Sequence, residues 1–161
     1  MDDEGFSVFV AARSRHLLHA AHLLTGDRHR AEDLLQTALT RAYLRWDRIE
    51  EPEGYVRRTM VNANTDWWRR KPWREQSTDE MPEVVAPEPA SYEVRDAVLS
   101  ALATLSGRQR AVVVLRYYEG LSEAEIAAAL GCSAGTVKSA ASRAMVKLRA
   151  HPGLGLCEEP T

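Results

Sequence analysis

Two small all-α domains joined by a flexible acidic linker are expected from these 161 residues. Apolar residues recur at steps that keep to one face of a helix, and nothing in that pattern reads as strand. Capping residues stand at the ends of these stretches. Between Lys71 and Tyr92, Pro72, Pro82, Pro87 and Pro89 instead interrupt a run that holds Glu75, Asp79, Glu80, Glu83 and Glu88. Proline removes backbone donors and acids resist burial, so this segment has too little apolar surface to offset its ordering entropy. The expected division is a domain over 1–70, a linker over 71–91, a second domain over 92–150 and a tail over 151–161. Each folded piece is small for independent stability.

In the first piece, a helix from about Phe6 to Leu24 is stopped by Gly26, and Asp27 caps the next. Ala31, Leu34, Leu35, Ala38, Leu39, Ala42, Tyr43 and Trp46 form the apolar stripe of that second helix. A third begins at Pro52, where a missing N–H costs nothing, and runs to about Arg70 with Val56, Met60, Ala63 and Trp67 inward. In the second piece Val94, Ala97, Val98, Ala101, Leu102 and Leu105 form one stripe. Ser106 with Gln109, and Ser122 with Glu125, make capping boxes for the helices that follow. The last two helices, Ser122 to Leu130 and about Ser133 to Arg149, are separated only by Gly131-Cys132. Small Ala127 lets them approach and Gly131 permits a positive φ, so a helix-turn-helix is indicated.

Charge sharpens the picture. The chain carries 21 Lys+Arg against 23 Asp+Glu, a formal net charge of -2. By segment the net is 0 over 1–70, -3 over 71–92, +3 over 93–150 and -2 over 151–161. Six basic residues stand between Tyr55 and Arg74 against Asp66 alone, and four between Ser133 and Ala150 against none. Two basic patches therefore sit inside an acidic whole.

Several classes are disfavoured. No apolar run approaches the roughly 18 residues of a membrane span, and Met1-Asp2-Asp3-Glu4 is acidic where a secretory signal is basic, so no membrane insertion and a cytoplasmic location are expected. Cys132 and Cys157 lack metal spacing and read as reduced thiols. His16, His19 and His22 drift by about 60° per step around a helix and fan out rather than converge on a metal. There is no phosphate-binding glycine loop, no G-x-S-x-G and no metal cluster, so no catalytic residues, metal or cofactor are expected, and an enzyme finds little support.

Two helix faces carry the candidate chemistry. On the third helix Arg58, Asn62, Thr65 and Arg69 follow one another at helical spacing, with Trp67, Trp68 and Trp73 among Arg69, Arg70, Lys71 and Arg74. Aromatic rings stack on unpaired bases while guanidinium groups hold phosphates, which suits single-stranded nucleic acid; the alternative is a solvated face with one of Trp67 and Trp68 closing the core. The helix after the turn enters a major groove in DNA-binding hairpins, and its opening, Ser133-Ala134-Gly135-Thr136-Val137-Lys138-Ser139, offers N–H groups, hydroxyls and a lysine, with Arg143 on the face of Ser139. A hairpin used only for protein contacts is the alternative there. Lys147 and Arg149 read as exposed charges.

These residues resemble a bacterial RNA polymerase sigma factor of the extracytoplasmic-function (ECF) group of the sigma-70 family, over about 6–150. The helix-turn-helix string resembles that of sigma domain 4, although response-regulator output domains carry similar strings. Ala31-Glu32-Asp33-Leu34-Leu35-Gln36 followed by Ala42-Tyr43 resembles the core-binding helix of sigma domain 2. Asn62 with Asp66, Arg69 and Arg70 resembles the helix facing the minus-10 element, and Pro52-Glu53-Gly54-Tyr55-Val56-Arg57-Arg58 looks like the SigE-type subgroup.

The resemblance implies an alternative sigma factor. Asp33, Gln36 and Thr40 would dock on the coiled coil of the polymerase β′ subunit, with Thr37 where the family often has an acid, and the second domain would meet the β flap. Minus-10 DNA would meet Arg58, Asn62, Thr65, Asp66, Trp67, Arg69 and Arg70, and the loop Trp46 to Glu53 would capture a flipped base. Flipping costs a few kcal/mol and stacking recovers roughly 1–3 per base, so capture can tip melting. The acidic linker would thread the enzyme's RNA path. Ser139 and Arg143 would read the minus-35 element, with Ser133, Thr136 and Lys138 beside them at the helix start, Thr136 and Lys138 on phosphate. Ala140, where many relatives have arginine, implies a lost base or backbone contact. The implied partners are core RNA polymerase, promoter DNA and an anti-sigma factor. The competing reading is an autonomous helix-turn-helix regulator, for which +3 on the DNA-binding piece and -2 overall are poor for tight operator binding without help.

Overall fold

The computed structural model describes residues 2–70 and 89–154, which form two compact units divided at Trp67 and Trp68. The expected linker core, Trp73 and the tail beyond Leu154 lie outside the described residues, as do the side chains of Trp68, Arg69 and residues 89–94, Val94 of the expected stripe among them. Among the described residues every regular element is helical.

The first unit holds α1 (Asp3–Thr25), α2 (Arg28–Leu44) and α3 (Pro52–Arg70) up to Trp67, the last turn of α3 lying past the division. Helix α1 begins three residues before Phe6 because the Asp2 carboxylate accepts the Gly5 N–H at 2.9 Å, with Asp3 and Glu4 favouring the positive end of the helix dipole. It ends as expected: Gly26 takes φ 74 and its N–H reaches the His22 carbonyl. Asp27 then caps α2 through the N–H groups of His29 and Arg30. Leu17, Ala20, Ala21 and Leu24 of α1 pack with Ala31, Leu34, Leu35, Ala38, Leu39 and Ala42 of α2, and α3 adds Val56, Met60 and Val61.

Trp46 departs from expectation. Helix α2 stops at Leu44, and Trp46 opens a 3-10 turn (Trp46–Arg48) instead of extending the stripe. Its ring meets Phe6 edge-on at 5.2 Å and Phe9 at 5.5 Å, while Tyr43 contacts Phe6 at 5.0 Å. Such aromatic contacts are each worth about 0.5–1.5 kcal/mol beyond area burial. The aromatic cluster outcompetes one more helical turn.

The second unit holds α4 (Pro89–Ala103), α5 (Gly107–Val113), α6 (Glu123–Leu130) and α7 (Ala134–Ala150). Both capping boxes form, Ser106 with Gln109 and Ser122 with Glu125. Gly131 takes φ 67, and Ser133 caps α7. The core joins Leu102, Leu105, Val112 and Leu115 to Ile126, Val137 and Leu148 of the hairpin, where Ala127, Ala129, Ala141 and Ala144 are small residues that bring α6 and α7 close. Helix α5 does not stay regular: it widens into a π-turn over Val114–Tyr118, with Val114 and Leu115 buried and Tyr117 60% exposed. The expected tail begins late, because Pro152–Leu154 form a 3-10 turn against α4.

Candidate polymerase and nucleic-acid interfaces

On α2, the residues opposite the apolar stripe are Asp33, Gln36, Thr37 and Thr40, all exposed. Leu44 continues this row four residues beyond Thr40 and is 71% exposed, so the polar stripe ends on an apolar side chain. Sequence reasoning missed it, although its phase already sets it apart from Ala42 and Tyr43.

On α3, Arg58, Asn62, Asp66 and Arg70 are exposed at spacings of four, which places them on one side of the helix. Thr65 is half-buried and its hydroxyl donates to the Val61 carbonyl at 2.9 Å, so its donor is spent on the helix itself. Trp67 is half-buried, and the Arg30 guanidinium lies over its ring at 3.2 Å from the centroid. One face of Trp67 is therefore covered by Arg30, in keeping with the inward position expected for this residue. Arg30 also donates through Nη2 to Asn64 Oδ1 at 3.0 Å, and Asn64 is buried. Burial pushes the Arg30 guanidinium below its ordinary value, opposed by the neighbouring Asp27 carboxylate. An arginine so titrated stays a cation at neutral pH. Neither Arg30 nor Asn64 was expected to matter; the only sequence signal was a basic residue in a first helical turn, where the dipole disfavours it.

The turn between α2 and α3 is tied to α1 at both ends. Trp46 rests on Phe6 and Phe9, and Glu53 accepts from Arg13 and, at 3.5 Å, from Arg57 Nη2. Between these anchors Asp47, Arg48, Glu50 and Glu51 are exposed.

In the second unit, a recess of about 540 Å³ opens where the start of α5 meets the start of α7. Ser133, Thr136, Ser139 and Arg143 line it together with Arg108. Lys138 is exposed but stands outside it. Arg108 was missed, since nothing local ties the start of α5 to α7. Ser133 is committed to the helix: its Oγ accepts the Thr136 N–H at 3.1 Å and shares a hydrogen bond with Thr136 Oγ1 at 2.9 Å. Ala140 is buried, and it lines the recess beside Ser139 and Arg143. Lys147 is exposed as expected, yet its Nζ reaches Gln109 Oε1 at 3.0 Å and links α7 to α5. Two arginines around helix-start N–H groups make a recess suited to phosphate.

Comparison with known proteins identifies the family of both units. Residues 9–74 match the Sigma-70 region 2 family and residues 95–148 match Sigma-70, region 4. The RNA polymerase sigma-E factor of Streptomyces coelicolor is 44% identical over 148 residues, which cover 89% of this chain and 84% of that protein. The ECF RNA polymerase sigma factor SigL of Mycobacterium tuberculosis is 36% identical over 78% of this chain and 76% of its own length. Among solved structures, the sigma factor RpoE of Bartonella quintana, crystallised with the anti-sigma factor NepR, superposes with a TM-score of 0.72 at 29% identity, covering 92% of this chain and 96% of that one. CnrH, solved with the cytosolic domain of CnrY, gives 0.65 at 25% identity over 91% and 86%. The chain belongs to the extracytoplasmic-function group of the sigma-70 family of RNA polymerase sigma factors.

Proposed function

We propose that this sigma factor directs core RNA polymerase to specific promoters and assists their opening, with residues 1–70 as sigma domain 2, 71–91 as linker and 92–150 as sigma domain 4. The observation that carries the reading is that α2 and α3 of one unit present two separate exposed rows, Asp33–Gln36–Thr40 and Arg58–Asn62–Asp66–Arg70. The first row, extended by Leu44, docks on the β′ coiled coil; the second, with Arg69, Thr65 and the outer edge of Trp67, faces minus-10 DNA. The turn Trp46 to Glu53 receives the flipped base. In the second unit Ser139 and Arg143 read the minus-35 element, Thr136, Lys138 and Arg108 hold phosphate, Ser133 fixes the helix start, and the β flap docks on the same domain.

The protein works in the cytoplasm and carries no catalytic site; among the described residues no helix is long and apolar enough to cross a membrane. A protein restraint of the anti-sigma kind fits the two structural relatives, both solved with a partner. The test is transcription in vitro with purified core polymerase on promoter fragments. Specific, heparin-resistant complexes that require both proteins are expected. A footprint by the free chain at physiological salt, unchanged by core polymerase, would defeat the reading and restore the autonomous regulator.

A further inference from the structure

We propose that Arg30 is a positioning residue for promoter opening, coupling the polymerase-docking helix to the promoter-facing end of α3; this rests on the sigma reading above. Arg30 sits in the first turn of α2, where the helix dipole opposes a cation, and burial opposes it further. A long basic side chain ordinarily turns outward to water from such a place. Here it turns inward, lays its guanidinium on Trp67 and donates to Asn64. A planar fork lies flat on the ring while donating in its own plane, whereas an ammonium is a point charge with no plane to stack.

The placement matters because of what lies on either side. Asp33 and Gln36 of the docking row follow Arg30 by three and six residues on the same helix. On α3, the buried members among the described side chains stop at Asn64, while the promoter row runs on through Asp66 to Arg70. The Arg30 contact grips α3 at Asn64 and again at Trp67, beyond that last buried position. It therefore fixes the pitch of the exposed row against the helix that polymerase holds. Losing it leaves both helices folded and the docking row unchanged, but lets the last turns of α3 splay.

The experiment uses the full chain with core polymerase and compares wild type with Arg30→Met, which keeps the apolar stem, and Arg30→Lys, which keeps the charge. Open complexes are read by 2-aminopurine fluorescence at the flipped base, on a duplex promoter and on the same promoter pre-opened across the minus-10 region. Both variants are expected to compete for core as wild type does and to open the duplex about tenfold less, the equivalent of about 1.4 kcal/mol. The pre-opened template is expected to restore most of the signal. Duplex opening equal to wild type by both variants, equal losses on both templates, or weakened competition for core would each overturn the proposal. Wild type that opened neither template would overturn the sigma reading itself and the proposal with it.

Discussion

In the first unit Arg30 reaches 34 positions along the chain to hold Asn64, and Tyr43 donates to Asp3 across 40. In the second unit Ser106, Ser122 and Ser133 each close a cap three residues away. Both units use caps and links, since Asp2 and Asp27 cap helices of the first and Lys147 reaches Gln109 in the second, but the exposed row of α3 rests on a long-range link and the hairpin on its caps. The two designs fail differently. Cutting a link in the first unit disturbs how one row is aimed while each helix persists, whereas cutting a cap in the second loosens the start of the helix that carries the site.

The largest effect expected is in the core of the first unit. Met60 is fully buried, so Met60→Ala should cost about 2–5 kcal/mol, seen as a lowered thermal midpoint by far-UV circular dichroism. A cost near zero would mean that α3 is not held by its core and that the side-chain links carry it. Next comes the docking row. Asp33→Ala with Gln36→Ala should weaken competition for core polymerase by roughly tenfold or more, about 1.4 kcal/mol, with the thermal midpoint unchanged because both are exposed. Adding Leu44→Ala should weaken it further, and unaltered competition by the triple variant would remove this face of α2 from the interface.

The contrast between units also explains what could be read from the sequence. Gly26, Asp27, the Ser106 and Ser122 boxes and Gly131 were legible because a cap is decided within one turn, by residue types few other positions favour. The bounds of α3 were legible from its stripe and Pro52. Trp46 was not, since helical phase alone places it with Ala42, and only the presence of Phe6 and Phe9, some 40 residues earlier, draws it out of the helix. The site divides in the same way. The exposed rows follow from periodicity, while Arg30, Arg108, the burial of Ala140 and the covered face of Trp67 depend on which helices meet.

Smaller effects separate the roles within the second unit. Ser133→Ala removes a cap and should cost about 1 kcal/mol of stability, whereas Ser139→Ala, at an exposed position, should leave stability unchanged and alter minus-35 preference in holoenzyme. Equal destabilisation by the two would show that the hairpin does not lean on its caps. Arg108→Ala should weaken holoenzyme binding alike on all promoters and reduce the salt slope by about 1, the mark of one phosphate contact. A promoter-dependent effect would instead make Arg108 a reader of base edges.

The smallest expected effect tests a link of the first unit directly. The Tyr43 hydroxyl donates to Asp3 Oδ1 at 2.9 Å, and this hydrogen bond with the nearby carboxylate charge raises the phenol above its usual value. The charged form of tyrosine is the deprotonated one, so the link favours the neutral form. Its contribution is present below the unfolded pKa of about 10 and is lost as pH rises through the raised folded value. The group is exposed, so solvent screens the effect and global stability should hardly respond. Ultraviolet titration of the phenolate should show one tyrosine ionising late, and Asp3→Asn should bring it earlier. An unshifted curve in that variant would show that the aromatic contacts, rather than the hydrogen bond, hold the start of α1 against the end of α2.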